Sequence, residues 1–303
     1  MLRKILFGAV SLAALAIGAA HAQDQKDFRI GIIGGENEAD RLRNFQCLVD
    51  KLPSVLGVEK VSLFPAADYD GTIQGLLGGT LDYAELGASG YAKIYLENKD
   101  AVEPILTTVQ TDGATGYYSI MVARKDSGIK SLADLKGKKL GFADPDSTSG
   151  YLVPVTSLPA DLGNVPVKDY FGSTGFGGGH ENLVLEVLKG TFDAGTTFGS
   201  GVGEFSEGYT SGNLKKMVDK GILDMDDLVE VWKSPLIPNG PIVVRTALDA
   251  DIKTKFKDFM LKLPEADKEC FAAIQGGDFK SFIEVNSDFY APIVAARKAQ
   301  IGG

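Results

Sequence analysis

Short β-rich runs alternate with helical runs along most of this chain, and this alternation constrains the fold more than any other feature. Residues 28–33 and 58–64 predict strands, with a helical pattern of apolar residues between them. Similar pairs of patterns follow along the chain, and the remainder from about Asp249 is predicted to be helical. Strands that alternate with helices are typical of α/β domains, in which helices cover the faces of the sheets.

The first 22 residues have the pattern of a secretory signal peptide. Arg3 and Lys4 precede a mostly apolar run over residues 5–16, and Ala20-His21-Ala22 has the small-x-small pattern of a cleavage site. The apolar run is too short to span a bilayer, and charged residues begin at once after the cleavage site, which disfavours an uncleaved anchor. We therefore expect residues 1–22 to be removed and the remaining chain to be exported.

The length and the order of the patterns predict two α/β lobes. A chain of this length usually makes about two domains. Residues 23–116 and 236–303 are predicted to form lobe 1, and residues 117–235 to form lobe 2. The proline-rich segment 234–241 is predicted to be a stiff extended crossing without secondary structure. Two crossing strands would then act as a hinge, with a ligand cleft between the lobes.

The charge and the rare residue types exclude several classes of site. The formal net charge of −9 becomes −11 when Arg3 and Lys4 leave, which argues against nucleic acid or an anionic membrane as a partner. Cys47 and Cys270 can either pair in an oxidising compartment or remain two separate thiols. No metal site is expected, because two cysteines and the one histidine left after cleavage, His180, do not supply the four ligands of a structural zinc.

Three hydroxyl residues in a row, Ser147, Thr148 and Ser149, follow the predicted strand 139–143. A helix that begins at Ser149 or Gly150 leaves its first N–H groups without partners and carries partial positive charge there. With three side-chain hydroxyls added, the turn predicts a neutral socket of dipoles for a tetrahedral oxyanion, without a cluster of cations. The alternative is an ordinary N-cap, which needs only one of these residues.

Five segments together resemble the phosphonate-binding periplasmic proteins of ABC transporters. The resemblance implies a two-lobe periplasmic binding protein of type II, with mixed sheets flanked by helices and a hinge of two crossing strands. It also implies a periplasmic location, a monomer, a membrane permease as partner and no cofactor. The segments, which span nearly the whole mature chain in the same order, are residues 68–75, 116–119, 144–154, 179–181 and 231–238.

The same resemblance implies the residues of the binding site. Ser147, Thr148 and Ser149 would hold the phosphonyl oxygens, Tyr69 would donate its hydroxyl, and His180 would supply a further donor.

Two departures from the family bear on the ligand. A second ligand-contacting tyrosine of the family falls at Leu86, next to Glu85. The carboxylates that bind the ammonium of aminoalkyl phosphonates fall near Ser200 and near Asn239 and Gly240, so both are missing here. Either Glu85 or another nearby acid replaces them, or the ligand carries no amine, as in a phosphonate with a small or neutral substituent, phosphite or phosphate. Glu85 and Asn239 therefore join the expected site.

The competing functions are an exported phosphatase and a scaffold protein. No catalytic residue is expected, because hydroxyls without a neighbouring base bind but do not attack. The glycine-rich stretch 175–180 is not a phosphate loop, since no Gly-Lys-Ser/Thr follows it. A scaffold gives no reason for the hydroxyl row. The sequence therefore favours a binding protein for transport over an enzyme.

Overall fold

A computed structural model describes residues 26–35 and 37–302 of the chain. The predicted signal peptide, residues 1–22, lies outside the described residues. Among the helices of the described ranges, none combines the length and the apolar character needed to cross a bilayer.

Twelve strands and ten α-helices lie in the described ranges, besides short 3-10 and π-helical turns, and they are numbered in chain order. The strands are β1 (Asp27–Ile32), β2 (Lys60–Pro65), β3 (Tyr83–Glu85), β4 (Val102–Gln110), β5 (Gly116–Arg124), β6 (Lys139–Phe142), β7 (Ser173–Phe176), β8 (Ala194–Gly199), β9 (Leu228–Lys233), β10 (Ile237–Pro238), β11 (Pro241–Arg245) and β12 (Phe279–Glu284). The helices are α1 (Glu38–Leu56), α2 (Tyr69–Leu77), α3 (Ala88–Glu97), α4 (Val153–Asp161), α5 (Val167–Tyr170), α6 (His180–Leu188), α7 (Asn213–Asp219), α8 (Ala250–Ala266), α9 (Lys268–Gln275) and α10 (Ala291–Gly302).

The strands form two mixed sheets. The first has the order β12-β4-β11-β3-β1-β2, in which β1 runs parallel to β2 and β3 while β11 runs antiparallel to β3 and β4. The second has the order β10-β5-β8-β6-β7, with β9 also paired to β5. Here β6 runs parallel to β7 and β8, while β5 runs antiparallel to β8. The predicted α/β class with mixed sheets flanked by helices is confirmed.

Each sheet has a hydrophobic core on both faces. In the first sheet, Phe28, Ile30 and Tyr83 pack against α1, α8 and α9, while buried residues of α2, α3 and α10 cover the opposite face. The second sheet is covered by α4 and α5 on one face and by α6 and α7 on the other. We call the first sheet with its helices the first half of the molecule, and the second sheet with its helices the second half.

The chain crosses between the halves twice. It leaves the first sheet at the end of β4 and enters the second with β5, then returns between β9 and β11. The second crossing was predicted to have no secondary structure, and this is wrong at two residues. Ile237 and Pro238 form a short strand that pairs with β5. The division of the chain near residues 116 and 236 into two lobes that move separately stays a prediction.

One element of the first sheet contradicts the prediction of a wholly helical C-terminal region. Residues 279–284 form β12, which pairs antiparallel with β4 at the edge of the sheet. The pattern Phe279-Lys-Ser-Phe-Ile-Glu284 carries only Phe282 as a fully buried apolar residue. The strand therefore depends on pairing with β4, which is distant in sequence.

Cys47 of α1 and Cys270 of α9 form a disulfide bond, with their Cα atoms 5.8 Å apart. The sequence left open whether these cysteines pair or remain separate thiols, and in the structure they are paired. Both residues belong to the first hydrophobic core, so the bond joins two helices of the first half across 223 residues of chain.

Candidate functional site

A cavity of about 210 Å³ lies between the two halves and is lined by residues of both. Its walls come from the ends of β3, β4 and β8, from the start of β5 and from the turn after β6. All seven residues of the predicted site line this cavity: Tyr69, Glu85, Ser147, Thr148, Ser149, His180 and Asn239. Their contact with a ligand stays a prediction.

The hydroxyl row forms the first turn of a helix. Ser147 is the N-cap, and its Oγ accepts a hydrogen bond from the N–H of Gly150 at 3.0 Å. A π-helical turn over Thr148–Leu152 follows and runs into α4. The helix therefore begins before the predicted Ser149, because Ser147 takes the capping role.

The first backbone donors of this turn remain available. Within residues 26–35 and 37–302, the N–H groups of Thr148 and Ser149 make no hydrogen bond. Such groups point out of the start of a helix, where its dipole is positive. Because both residues line the cavity and are at most 2 % exposed, these donors serve the cavity and not bulk solvent.

Neighbouring groups orient each hydroxyl of the row. Ser147 Oγ lies 3.0 Å from Nε2 of His180, and Thr148 Oγ1 accepts from the N–H of Ser89 at 2.8 Å. The hydroxyl of Tyr117 lies against the side chains of Ser149 and Thr148. Burial raises the pKa of Tyr117, so it stays a neutral donor. The turn is thus preorganised by groups from both halves.

His180 is the first residue of α6 and is buried beside the turn. Its ring packs edge-on against Phe198, with centroids 4.7 Å apart. A Cβ at Gly150 would lie 2.9 Å from Cε1 of His180 and 2.5 Å from Cβ of Ala143. The glycine at position 150 is therefore required by packing inside the turn, in addition to any approach by a ligand.

Tyr69 begins α2, and Asp68 caps that helix by accepting from the N–H of Gly71 at 2.9 Å. The backbone N–H of Tyr69 lies against the carboxylate of Asp144 in the turn before the hydroxyl row. Burial raises the pKa of Asp144, and this contact offsets part of the rise. The position of the tyrosine is thus coupled to the hydroxyl turn of the other half.

Glu85 lies in the cavity wall as the last residue of β3. Its Oε1 accepts from the hydroxyl of Tyr83 at 2.8 Å and from Nε2 of Gln275 at 2.9 Å. Burial raises the pKa of Glu85 to about 7, although these hydrogen bonds and the charge of Lys216 act in the opposite direction.

Lys216 of α7 also lines the cavity. The neutral socket of dipoles at the hydroxyl turn, without a cluster of cations, stays a prediction. Nothing in the sequence marks Lys216, because it is one of two adjacent lysines on a short helix.

Asn239 is part of the second crossing and is 4 % exposed. Its Nδ2 donates to the backbone oxygen of Thr108 at 2.9 Å, and its own backbone oxygen accepts from Thr107 and Tyr290. The side chain therefore holds the crossing segment against β4 while it lines the cavity.

Asp146 joins the hydroxyl turn to the first half. This residue, 5 % exposed, precedes Ser147 and forms ion pairs with two cations of the first half. Nζ of Lys93 lies 2.9 Å from its Oδ2, and Nη2 of Arg297 contacts its Oδ1. Arg297 also donates to Oγ of Ser89 at 2.7 Å. Through these contacts α3 and α10 hold the turn from the opposite side of the cleft.

The halves also meet at two other places. The Cα of Gly35 is so close to Gly179 that a Cβ at position 179 would lie 2.3 Å from it. Ser211 and Gly277 form an isolated antiparallel bridge. The two halves are therefore in contact at these places as well as at the hydroxyl turn.

Several residues of the cavity lining were not expected from the sequence, among them Gln110, Ser211, Lys216 and Gln275. No local motif marks them, because they come to the cavity from three separate parts of the chain. Among the described residues, no cluster of three or more metal-binding side chains is present.

A family described as the periplasmic substrate-binding protein of phosphonate ABC transporters matches residues 30–290 of the chain. The chain is 30 % identical over 274 residues to the phosphonates-binding periplasmic protein of Escherichia coli K12, which covers 89 % of this chain and 76 % of that protein. It is 32 % identical over 234 residues to the phosphate-import protein PhnD of Mycolicibacterium smegmatis, with 75 % and 69 % covered.

A similar structure is the binding protein component of an ABC phosphonate transporter from Pseudomonas aeruginosa. It superposes with a TM-score of 0.76 at 30 % sequence identity, covering 92 % of this chain and 87 % of that one. The predicted two-lobe binding-protein fold is confirmed by this similarity.

Proposed function

We propose, because this chain belongs to the family of periplasmic substrate-binding proteins of phosphonate ABC transporters, that it captures a small phosphonate in the cavity and delivers it to a membrane permease. The observation that carries this proposal is the hydroxyl turn, whose free N–H groups and oriented hydroxyls face the cavity between the halves. A tetrahedral oxyanion is the ligand that such a set of convergent donors fits best.

Affinity would come from preorganised donors. The N–H groups of Thr148 and Ser149, the hydroxyls of the row and Tyr69, and the ring of His180 are seven candidate donors. About four to six hydrogen bonds from this set to charged oxygens would contribute roughly 1.5–3 kcal/mol each. Part of this free energy is offset by the loss of ligand and side-chain freedom. Micromolar to nanomolar dissociation constants are therefore expected.

Capture would proceed by hinge closure of the two lobes, residues 23–116 with 236–303 and residues 117–235. The contacts that support this are those of Asp146 with Lys93 and Arg297, and that of Thr148 with Ser89. All of them join the halves, so opening the cleft breaks them. The ligand would stabilise the closed state by filling the cavity that these contacts surround.

The ligand of first choice is a phosphonate, and phosphite or phosphate is the alternative. A relative named for phosphate import supports keeping that alternative. The N-terminal pattern supports export to the periplasm with removal of residues 1–22, and the family supports a membrane permease as partner. A monomer is proposed, since the permease contacts both lobes. The acidic net charge gives no reason to propose a nucleic acid as partner.

The proposal is tested by calorimetric titration of the purified mature protein with methylphosphonate, ethylphosphonate, phosphite and phosphate. The double variant Thr148→Ala with Ser149→Ala should bind the preferred compound at least about 100-fold more weakly, since two charge-assisted contacts of about 1.5 kcal/mol each are lost.

The matched control replaces Thr156 and Ser157 of α4, further along the same helix, by alanine. Thr156 Oγ1 bonds only to carbonyls of its own helix, so this control should bind like the wild type. Wild-type affinity in the Thr148 and Ser149 variant, with an unchanged urea midpoint, would rule out the hydroxyl turn as the anion site. Failure of every compound to bind the wild type would rule out the function.

A further inference from the structure

The cavity contains a second group of polar side chains besides the hydroxyl turn. We call Glu85, Gln110, Ser211, Lys216 and Gln275 the second polar group, and all five line the cavity. They are connected among themselves: Gln275 donates to Glu85, and Ser211 donates to Gln110 at 3.1 Å. A water takes about 30 Å³ in the liquid, so a cavity of about 210 Å³ has room for a substituent beside the oxyanion.

The protein already supplies partners to the carboxyl group of Glu85, although burial still raises its pKa to about 7. Two hydrogen-bond donors, from Tyr83 and Gln275, end on the same oxygen, and the charge of Lys216 acts on the group. An ammonium group on the ligand would compete with those donors and meet the like charge of Lys216. Glu85 is therefore a poor replacement for the carboxylates that bind an aminoalkyl substituent.

The position of Lys216 depends on a glycine of the opposite half. Gly276 ends α9 with a φ of +65°, and a Cβ there would lie 1.9 Å from Cε of Lys216. Because no side chain is present at 276, the lysine can pass over the end of α9 and reach the cavity. The amides of Gln110 and Gln275 each carry two N–H donors beside this cation, whereas the hydroxyl of Ser211 already donates to Gln110.

Resting on the proposed function, we propose that Lys216 and the amides of Gln110 and Gln275 in the second polar group bind a carboxylate on the ligand's substituent, with Lys216 as its charge partner. The substrate class is then a carboxyalkyl phosphonate, whose phosphonate lies at the hydroxyl turn and whose carboxylate lies at the second polar group. Lys216 is the residue that determines this specificity, and an aminoalkyl phosphonate is disfavoured.

The test compares three ligands of similar length by calorimetry at pH 7.5: 2-carboxyethylphosphonate, propylphosphonate and 2-aminoethylphosphonate. In the wild type, the carboxylate compound should bind at least about tenfold more tightly than propylphosphonate, and the amine compound more weakly than both, as expected for one gained or opposed charge contact. Lys216→Met should remove the advantage of the carboxylate compound over propylphosphonate, and Lys216→Arg should retain most of that advantage.

Gly276→Ala provides a second route to the same result, because it displaces the lysine without changing any charge. It should reduce the carboxylate advantage in the same direction as Lys216→Met. Tighter binding of 2-aminoethylphosphonate than of propylphosphonate by the wild type overturns the inference, as does a carboxylate advantage that survives in Lys216→Met. Binding of propylphosphonate with no carboxylate advantage overturns only this inference, whereas no binding of any phosphonate overturns the proposed function as well.

Discussion

Replacing Asp146 by asparagine tests whether the ion pairs across the cleft contribute to ligand capture. The side chain is 5 % exposed and lies between Lys93 and Arg297 of the opposite half. Asparagine keeps the shape of the side chain and leaves the backbone bond to Asp144 in place. The change therefore removes one charge and little else.

The magnitude follows from the burial of the two cations. Arg297 is 8 % exposed, and breaking a buried pair by removing one partner costs about 3–5 kcal/mol. Lys93 keeps its pair with Asp70 at 2.6 Å, and its side chain is 21 % exposed. Loss of the pair between Lys93 and Asp146 therefore adds less than about 1 kcal/mol. If the pairs form only on closure, the variant should lose about 3 kcal/mol of binding free energy. This loss corresponds to a roughly 100-fold larger dissociation constant.

The assay combines calorimetry with methylphosphonate and urea unfolding of the ligand-free protein. Asp146→Asn should weaken binding about 100-fold and leave the ligand-free unfolding free energy within about 1 kcal/mol, because the open state lacks the pairs. Asp70→Asn is the matched control: it removes a half-exposed carboxylate that pairs with the same lysine within the first half, and should change binding less than threefold. Binding within threefold of wild type by Asp146→Asn, together with a loss of several kcal/mol in ligand-free stability, would show that the pairs support the fold and not closure.

Two further predictions concern stability. Replacing Cys47 and Cys270 by serine should lower the free energy of unfolding by about 2–5 kcal/mol, because the bond closes a long loop; urea curves that coincide with the wild type would contradict this. Glu85→Gln should remove a pH dependence of stability. Burial raises the pKa of Glu85 from 4.5 to about 7, so between these pH values the folded wild type keeps a proton that the unfolded chain has released. The free energy of unfolding of the wild type therefore falls by up to about 3 kcal/mol as pH rises from about 4.5 to 7. Urea unfolding of both proteins at pH 5 and pH 7.5 measures this difference. If the free energy of unfolding changes equally with pH in the two proteins, the pH dependence does not come from Glu85.

The alternation of patterns was sufficient to predict the α/β class, because periodicity is local and strands alternate with helices along most of the chain. The cap at Ser147 was readable for the same reason: an N-cap depends on residues within one turn. Residues 279–284 were missed, since a strand at the edge of a sheet is decided by its partner β4 and only weakly by its own pattern.

For the site, the sequence by itself determined the dense row of hydroxyls at the start of a helix, and with it the class of ligand that such donors fit. Only the tertiary structure decided that Lys216 joins the cavity, that Gly276 makes room for it and that Asp146 pairs across the cleft. The physical reason is the range of the interactions. Capping and helix dipoles act within a few residues of chain, whereas the cations and amides that surround the cavity meet only when two halves, each with its own core, come together.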